Sequence, residues 1–159
     1  MTLHPAAHAS SPLTEDLVTA LRHLGLQADW LDDGALVEVG DHRIVLEVAR
    51  SDEGEVLVRA HMPLDIFVEE DSLPDSLMGL NLMNQTLDFG MLLLDPVEEE
   101  AEEEEEAPTT FAIVGRTVVW LGGTGPADAQ RLSTHLHRFE AEVFNSLESA
   151  VNSAGAMTA

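Results

Sequence analysis

The chain has 159 residues, of which 30 are acidic and 7 are basic, and its formal net charge is −23. All basic residues other than histidine are arginines, and cysteine, lysine and tyrosine are absent. This excludes disulfides, thiolate nucleophiles, zinc knuckles and lysine Schiff bases. So acidic a surface repels phosphate backbones and anionic headgroups, and it favours protein partners over nucleic acid or membranes. With 45% hydrophobic residues the chain can still build a core.

The first segment predicts a flexible arm followed by a helix. Residues 1–11 are small and polar and lack the basic and apolar regions of a secretory signal. Ser11 and Pro12 are typical of a helix start, and Gly25 of a helix end. Leucines recur between them at helical spacing. No apolar run approaches the ~20 residues of a membrane helix, and we expect a cytoplasmic protein.

The next segment predicts a three-stranded antiparallel meander. Residues 35–39, 43–49 and 55–61 alternate with period two, and the turns between them are short. Pro63 is expected to end this sheet pattern.

The two faces of the meander are both partly apolar. The predicted core face carries Ile44, Leu46, Val48, Val56 and Val58. The opposite face carries Leu36, Val45 and Leu57 beside Glu38, Glu47 and Arg59. Either a helix covers part of this second face, or it is an exposed patch that binds another chain.

A second helix is predicted to enter at Asp71–Pro74 and to end at Gly90. Its apolar residues cover more of the helix surface than a single stripe would. The helix can therefore pack against its own sheet and a second subunit at once. The stripe consists of Leu73, Leu77, Leu80 and Leu87, and Met78, Leu82 and Met83 widen it.

The C-terminal part predicts two strands and a long helix. A strand over 91–95 precedes eight glutamates between Glu98 and Glu106, which we interpret as a solvated loop over residues 96–108. Residues 109–121 resume the strand pattern, with Gly115 expected at a bulge or tight turn. A regular apolar stripe then predicts the last helix.

Together these elements predict an α+β domain with an antiparallel sheet and three helices, in the order α-β-β-β-α-β-β-α. The domain covers residues 12–151, and residues 152–159 are expected to form a frayed tail.

No pattern indicates catalysis or a cofactor. The stretch Gly122–Pro126 matches no phosphate-binding motif, and the sequence contains no G-x-S-x-G elbow. His135 and His137 are two residues apart and point to different sides of a helix, which disfavours a shared metal ion. We expect no enzyme activity, no metal and no cofactor.

The element order, the size and the acidity resemble the class I chaperones of bacterial type III secretion, the family of the Tir and Yop-effector chaperones. The resemblance extends from Pro12 to Val151 and includes the first helix, the meander, the helix ending in LNLMNQTLDFG and the strands MLLLD and TTFAIVGRTVVWL. In length and acidity the chain is similar to the general effector chaperones of plant pathogens.

The resemblance implies a homodimer and the binding of an effector's unfolded N-terminal region, which is then delivered to the secretion ATPase. It implies a dimer interface of Leu77, Leu80, Met83 and Leu87. It implies partner contacts at Leu36, Val45, Leu57 and Val119.

An alternative function rests on the glutamate run. In this alternative the protein is an acidic regulatory or decoy module that occupies a basic surface on a partner. Deleting Glu98–Glu106 abolishes binding in this alternative and leaves it mostly intact in a chaperone. High salt also weakens such exposed charge contacts.

Overall fold

The computed structural model describes residues 11–97 and 109–157, with side chains described as far as Val151. Residues 1–10 of the arm predicted over 1–11, the glutamate run at 98–106 and the last two residues lie outside this part of the chain.

A six-stranded antiparallel sheet in the order β1-β2-β3-β4-β6-β5 forms the body of the fold. The described residues also form three α-helices and a short 3₁₀ helix, so the α+β class with an antiparallel sheet is confirmed. The elements are α1 (Pro12–His23), β1 (Gln27–Leu31), β2 (Gly34–Val39), β3 (His42–Arg50), β4 (Val56–Glu69), the 3₁₀ helix (Glu70–Ser72), α2 (Leu73–Asn84), β5 (Met91–Pro96), β6 (Thr110–Leu121) and α3 (Pro126–Met157).

Helix α1 begins and ends as its sequence predicts. The Ser11 hydroxyl accepts a hydrogen bond from the amide of Thr14 at 3.2 Å, and proline occupies the first turn. At the other end Gly25 has a φ of 88°, and the amide of Leu26 donates to the carbonyl of Leu21. This left-handed glycine with its backward hydrogen bond is the Schellman termination of a helix.

The sheet is longer than predicted at two places. Strand β1 was not expected, and it pairs with β2 along its whole length. Strand β4 continues through Pro63, which pairs with Val114, whereas the last pairing of β3 with β4 is at His61. At Pro63 strand β4 has a neighbour on one side only. A proline, which has no N–H to donate, is tolerated at such an edge position. The irregularity lies farther on in β4, between Pro63 and Phe67.

Gly115 marks a packing contact and not the predicted bulge. It pairs in register with Met62 on β4 and Leu92 on β5. A Cβ at this position would stand 3.0 Å from Phe139 Cζ. Gly90 is tighter still, since its Cβ would stand 2.5 Å from the same ring. The two glycines therefore make room for Phe139 of α3.

The hydrophobic core lies between one face of the sheet, which we call the inner face, and the three helices. Leu17, Val18 and Leu21 of α1 and Leu132, Leu136 and Phe139 of α3 are fully buried there. Four of the five residues assigned to the core face, Ile44, Leu46, Val56 and Val58, are also fully buried. Val48 is partly buried against the same cluster. Helix α3 continues to Met157, into the segment that was predicted to be frayed.

Candidate partner-binding surfaces

The outer face of the sheet, opposite the three described helices, carries the apolar residues that the sequence placed there. Leu36 pairs with Val45, which in turn pairs with His61. Leu57 pairs with Ala49 on one side and with Trp120 on the other. Directly paired residues of antiparallel strands share a face.

We call the apolar part of this face the outer patch; its residues are Leu36, Val45, Leu57, Val118 and Trp120. The first three are half-buried. Val118 is 42% exposed and Trp120 50% exposed, although both belong to a strand that lies inside the sheet order. Exposed apolar side chains gathered on one face of a sheet are typical of interaction surfaces.

Val119 does not belong to the outer patch, and its assignment as a partner contact is wrong. It pairs with Val58 on the inner face and is only 7% exposed. Side chains alternate along a strand, so its neighbours Val118 and Trp120 take the outer positions. The period-two signal was present in the sequence, but the apolar run around it left the face of each residue undetermined.

Three arginines lie on the outer face, and two of them stand beside glutamates. Arg43 lies 3.8 Å from Glu38, and Arg59 is paired across the strands with Glu47. Arg116 lies beside His61 and Met91 in the same row of the sheet. The Nε of Arg116 is buried without a hydrogen-bond partner in the described part of the chain. An unpaired buried donor is costly.

Helix α2 presents a second apolar surface, which we call the α2 face: Leu77, Met78 and Leu82. These residues are 51%, 68% and 58% exposed. Asp75 is the only charged residue among the twelve of the helix. A surface helix ordinarily carries charged side chains on its solvent side, so this helix is apolar where a soluble monomer would be polar.

The predicted dimer residues are divided between this surface and the core. Leu77 belongs to the α2 face. Leu80 is 6% exposed and belongs to the core cluster, and Met83 and Leu87 pack against that cluster. Leu87 lies beyond the end of α2, because the helix ends at Asn84 and not near Gly90. The predicted stripe therefore faces inward for most of its length, and Met78 and Leu82 take the exposed positions.

The side chain of Asn84, the last residue of α2, bonds to the edge of β5. Its Nδ2 donates to the carbonyl of Leu92 at 2.9 Å, and its Oδ1 accepts from the amide of Leu92 at 2.7 Å. Asn84 thus covers the free edge of β5 at this residue, which protects the edge from further pairing.

A hydrogen-bond network joins the loop at residues 85–90 to α3 and β6. Glu142 accepts from the backbone amides of Asp88 and Phe89. The Thr117 hydroxyl donates to the carbonyl of Phe89 at 2.5 Å, so its oxygen accepts from His135 Nε2 at 2.7 Å. This requires the tautomer of His135 that carries its proton on Nε2. Burial lowers the pKa of His135 from its ordinary value of 6.5 and favours the neutral ring.

The other candidate sites from the sequence, the Gly122–Pro126 stretch and the histidines of α3, are held by local hydrogen bonds. The amide of Gly125, at the start of α3, donates to Asp128 Oδ2 at 3.3 Å, so a carboxylate already caps this helix end. The Nδ1 of His137 lies 2.7 Å from the carbonyl of Ser133, whereas His135 contacts Thr117. No group of three or more potential metal ligands occurs within the described ranges.

Comparisons of the chain with family models, with curated proteins and with solved structures find no match. Over residues 11–97 and 109–157, no helix has the length and apolarity needed to cross a membrane.

Proposed function

We propose that the protein is a cytoplasmic, homodimeric chaperone that binds the N-terminal region of secreted effector proteins. It keeps this region unfolded and promotes its delivery to the type III secretion apparatus, where the secretion ATPase is a further partner. It acts by binding, without a catalytic step, a cofactor or contact with nucleic acid.

The observation that carries the proposal is the outer patch. A folded cargo would bury its own apolar residues, whereas an unfolded segment needs an apolar surface that spans several strands. Leu36 and Trp120 lie on β2 and β6, which are separated by β3 and β4 in the sheet. The outer patch offers an extended chain contacts over that whole width.

The α2 face supports the dimer. Burying an exposed apolar side chain contributes about 1.5–3 kcal/mol, and a twofold axis would bury each residue of this face twice. With its one charged residue, α2 has little charge to desolvate in such an interface.

The acidity of the chain suits the same function. A net charge far from zero keeps proteins that expose apolar surfaces soluble. The charge of −23 is then protection for the outer patch and the α2 face, and not itself the binding surface.

Co-expression with candidate effectors tests the proposal. Effectors encoded beside this gene are produced in full and without their first ~100 residues, about the length of one domain. We expect co-purification with the full-length effector only. Equal recovery of both forms would rule out binding to the N-terminal region.

Substitutions in the outer patch locate the binding surface. We expect Leu57→Gln and Trp120→Gln together to weaken effector binding at least tenfold, since two apolar contacts are lost. Phe144→Gln is the matched control, because Phe144 is 51% exposed on α3, outside the outer patch. Equal loss in the control would remove the outer patch from the proposal.

A further inference from the structure

Strand β6 has an open edge beside the start of β5. The first residue of β5, Met91, pairs with Arg116, whereas β6 continues to Leu121. From Thr117 onwards β6 pairs only with β4 among the described strands. We call the open edge from Val118 to Trp120 the β6 notch.

The main chain of the β6 notch is oriented for pairing. Both backbone groups of Leu92 bond to Asn84 and therefore point away from β6. Backbone groups alternate in direction along antiparallel strands, so those of Val118 and Trp120 point into the notch. Arg131 confirms this direction, since its Nη2 donates to the carbonyl of Trp120 at 2.8 Å.

Three of the seven arginines surround the β6 notch. Arg131, Arg138 and His135 line a cleft of about 260 Å³, and Arg116, Val118 and His135 line a second cleft of about 390 Å³. Within the described part of the chain, none of these arginines forms an ion pair with a carboxylate. The nearby Glu142 is engaged by two backbone amides, and Asp88 is the acid that lines the second cleft.

This arrangement is unexpected in a chain with 30 acidic residues. Arg22 and Arg43 form ion pairs with Asp29 and Glu38, whereas the three arginines at the β6 notch have no carboxylate partner in the described part of the chain. Arg116 also has the buried Nε that lacks an acceptor. The notch therefore combines backbone groups that have no strand partner and guanidinium groups that have no carboxylate partner among the described residues. Arg131 bonds the Trp120 carbonyl, and Arg138 lies over the Phe89 ring, 5.5 Å from its centroid. A carboxylate is the acceptor that a guanidinium binds best.

We propose that the β6 notch binds an extended, acidic segment of the partner protein as an added strand. The main chain of the segment pairs with Val118 and Trp120, and its carboxylates bind Arg116 and Arg138. An incoming N–H replaces the guanidinium at the Trp120 carbonyl, which frees Arg131 for a further carboxylate. The proposal rests on the proposed function, because the segment belongs to the cargo.

Short fluorescein-labelled peptides of alternating valine and glutamate, glutamine or lysine test the proposal by fluorescence anisotropy. The net charge of −23 favours the lysine peptide, whereas the β6 notch favours the glutamate peptide. We expect the glutamate peptide to bind most tightly. Tighter or equal binding of the lysine peptide would overturn the proposal.

Two further measurements place the peptide. Hydrogen exchange of the wild-type protein should show the amides of Val118 and Trp120 protected by the glutamate peptide. Arg116→Gln and Arg138→Gln should each weaken its binding about tenfold, as for other hydrogen bonds to charged groups. Arg50→Gln makes the same change of charge at the hairpin, where Arg50 bonds the carbonyl of Gly54, and should have little effect. Unprotected amides, or an equal effect of Arg50→Gln, would overturn the proposal.

Effector binding separates this inference from the proposed function. If the substitutions in the outer patch abolish effector binding while Arg116→Gln and Arg138→Gln leave it unchanged, the chaperone function stands and the acidic strand is wrong. Binding of the glutamate peptide without any effector binding would support the notch and contradict the chaperone function.

Discussion

The two faces of the sheet both carry many apolar residues, but the helices cover the inner face and leave the outer face exposed. On the inner face, Val58 and Val119 are a buried pair beneath the helices. On the outer face, Leu57 and Trp120 are a pair one residue away, and Trp120 is half exposed. Hydrophobicity alone therefore does not distinguish the core face of this sheet from its uncovered face. What distinguishes them is which face the chain's own helices cover.

The largest expected difference between the faces is at two adjacent residues of β6. Val119→Asp would place an unpaired carboxylate in the core, and we expect it to prevent folding, since such burial costs several kcal/mol. Val118→Asp makes the same change on the outer face, where the side chain is 42% exposed, and should remain folded. Circular dichroism and urea unfolding distinguish the two outcomes. Similar destabilisation by both would contradict the assignment of the faces.

A second matched pair compares the inside and the outside of α3. Phe139 is fully buried and Phe144 is 51% exposed. We expect Phe139→Ala to lower the free energy of unfolding by about 3–5 kcal/mol through the cavity it leaves. Phe144→Ala should cost less than about 1 kcal/mol. A small effect of Phe139→Ala in urea unfolding would show that α3 does not close the inner face.

A third matched pair compares an exposed apolar residue of the α2 face with a similarly exposed one on α3. Met78 and Val151 are 68% and 70% exposed on α2 and α3, so replacing either with glutamate adds the same charge at a similar exposure. We expect Met78→Glu to weaken the dimer at least tenfold, or about 1.4 kcal/mol, and Val151→Glu to leave it unchanged. Sedimentation equilibrium measures both, and a wild-type monomer at all concentrations would remove the dimer from the proposal.

Much of the fold could be predicted because its strongest patterns are local. The runs over 35–39, 43–49 and 55–61 follow a period of two closely enough to indicate strands, and they form β2, β3 and the start of β4. Strand β1 lacks that signal, since four of its five residues are exposed. It is held by backbone pairing with β2, which side-chain periodicity does not report.

The candidate surfaces were harder to predict because they depend on tertiary contacts. Leu80 is on the inward side of α2, and Leu87 is in the loop that Glu142 and Thr117 hold. Val119 and Val118 have the same chemistry, and only the pairing with β4 assigns each of them to a face. The β6 notch exists because β5 begins opposite Arg116, and a sequence does not state where one strand begins beside another.

The smallest expected effect is the pH dependence due to His135. Burial lowers its folded pKa below 6.5, so below about pH 6.5 the unfolded chain binds more protons than the folded chain. Its contribution to stability is therefore complete above that pH and is lost as the pH falls. His135→Gln keeps a donor for Thr117 but does not titrate. Urea unfolding between about pH 7.5 and 5.5 should show a shallower pH dependence in the variant. Identical slopes would contradict a His135 that is half-buried and neutral in the folded chain.

The most direct test of the central claim is photo-crosslinking from the outer patch. The photoreactive residue p-benzoylphenylalanine is placed at Trp120 in one variant and at Phe144 in another, and each is irradiated in cells that produce a candidate effector. We expect cross-links from position 120 to the N-terminal region of the effector and none from position 144. Cross-links from position 144 alone, or equally from both positions, would contradict the claim that the uncovered face of the sheet is the partner-binding surface.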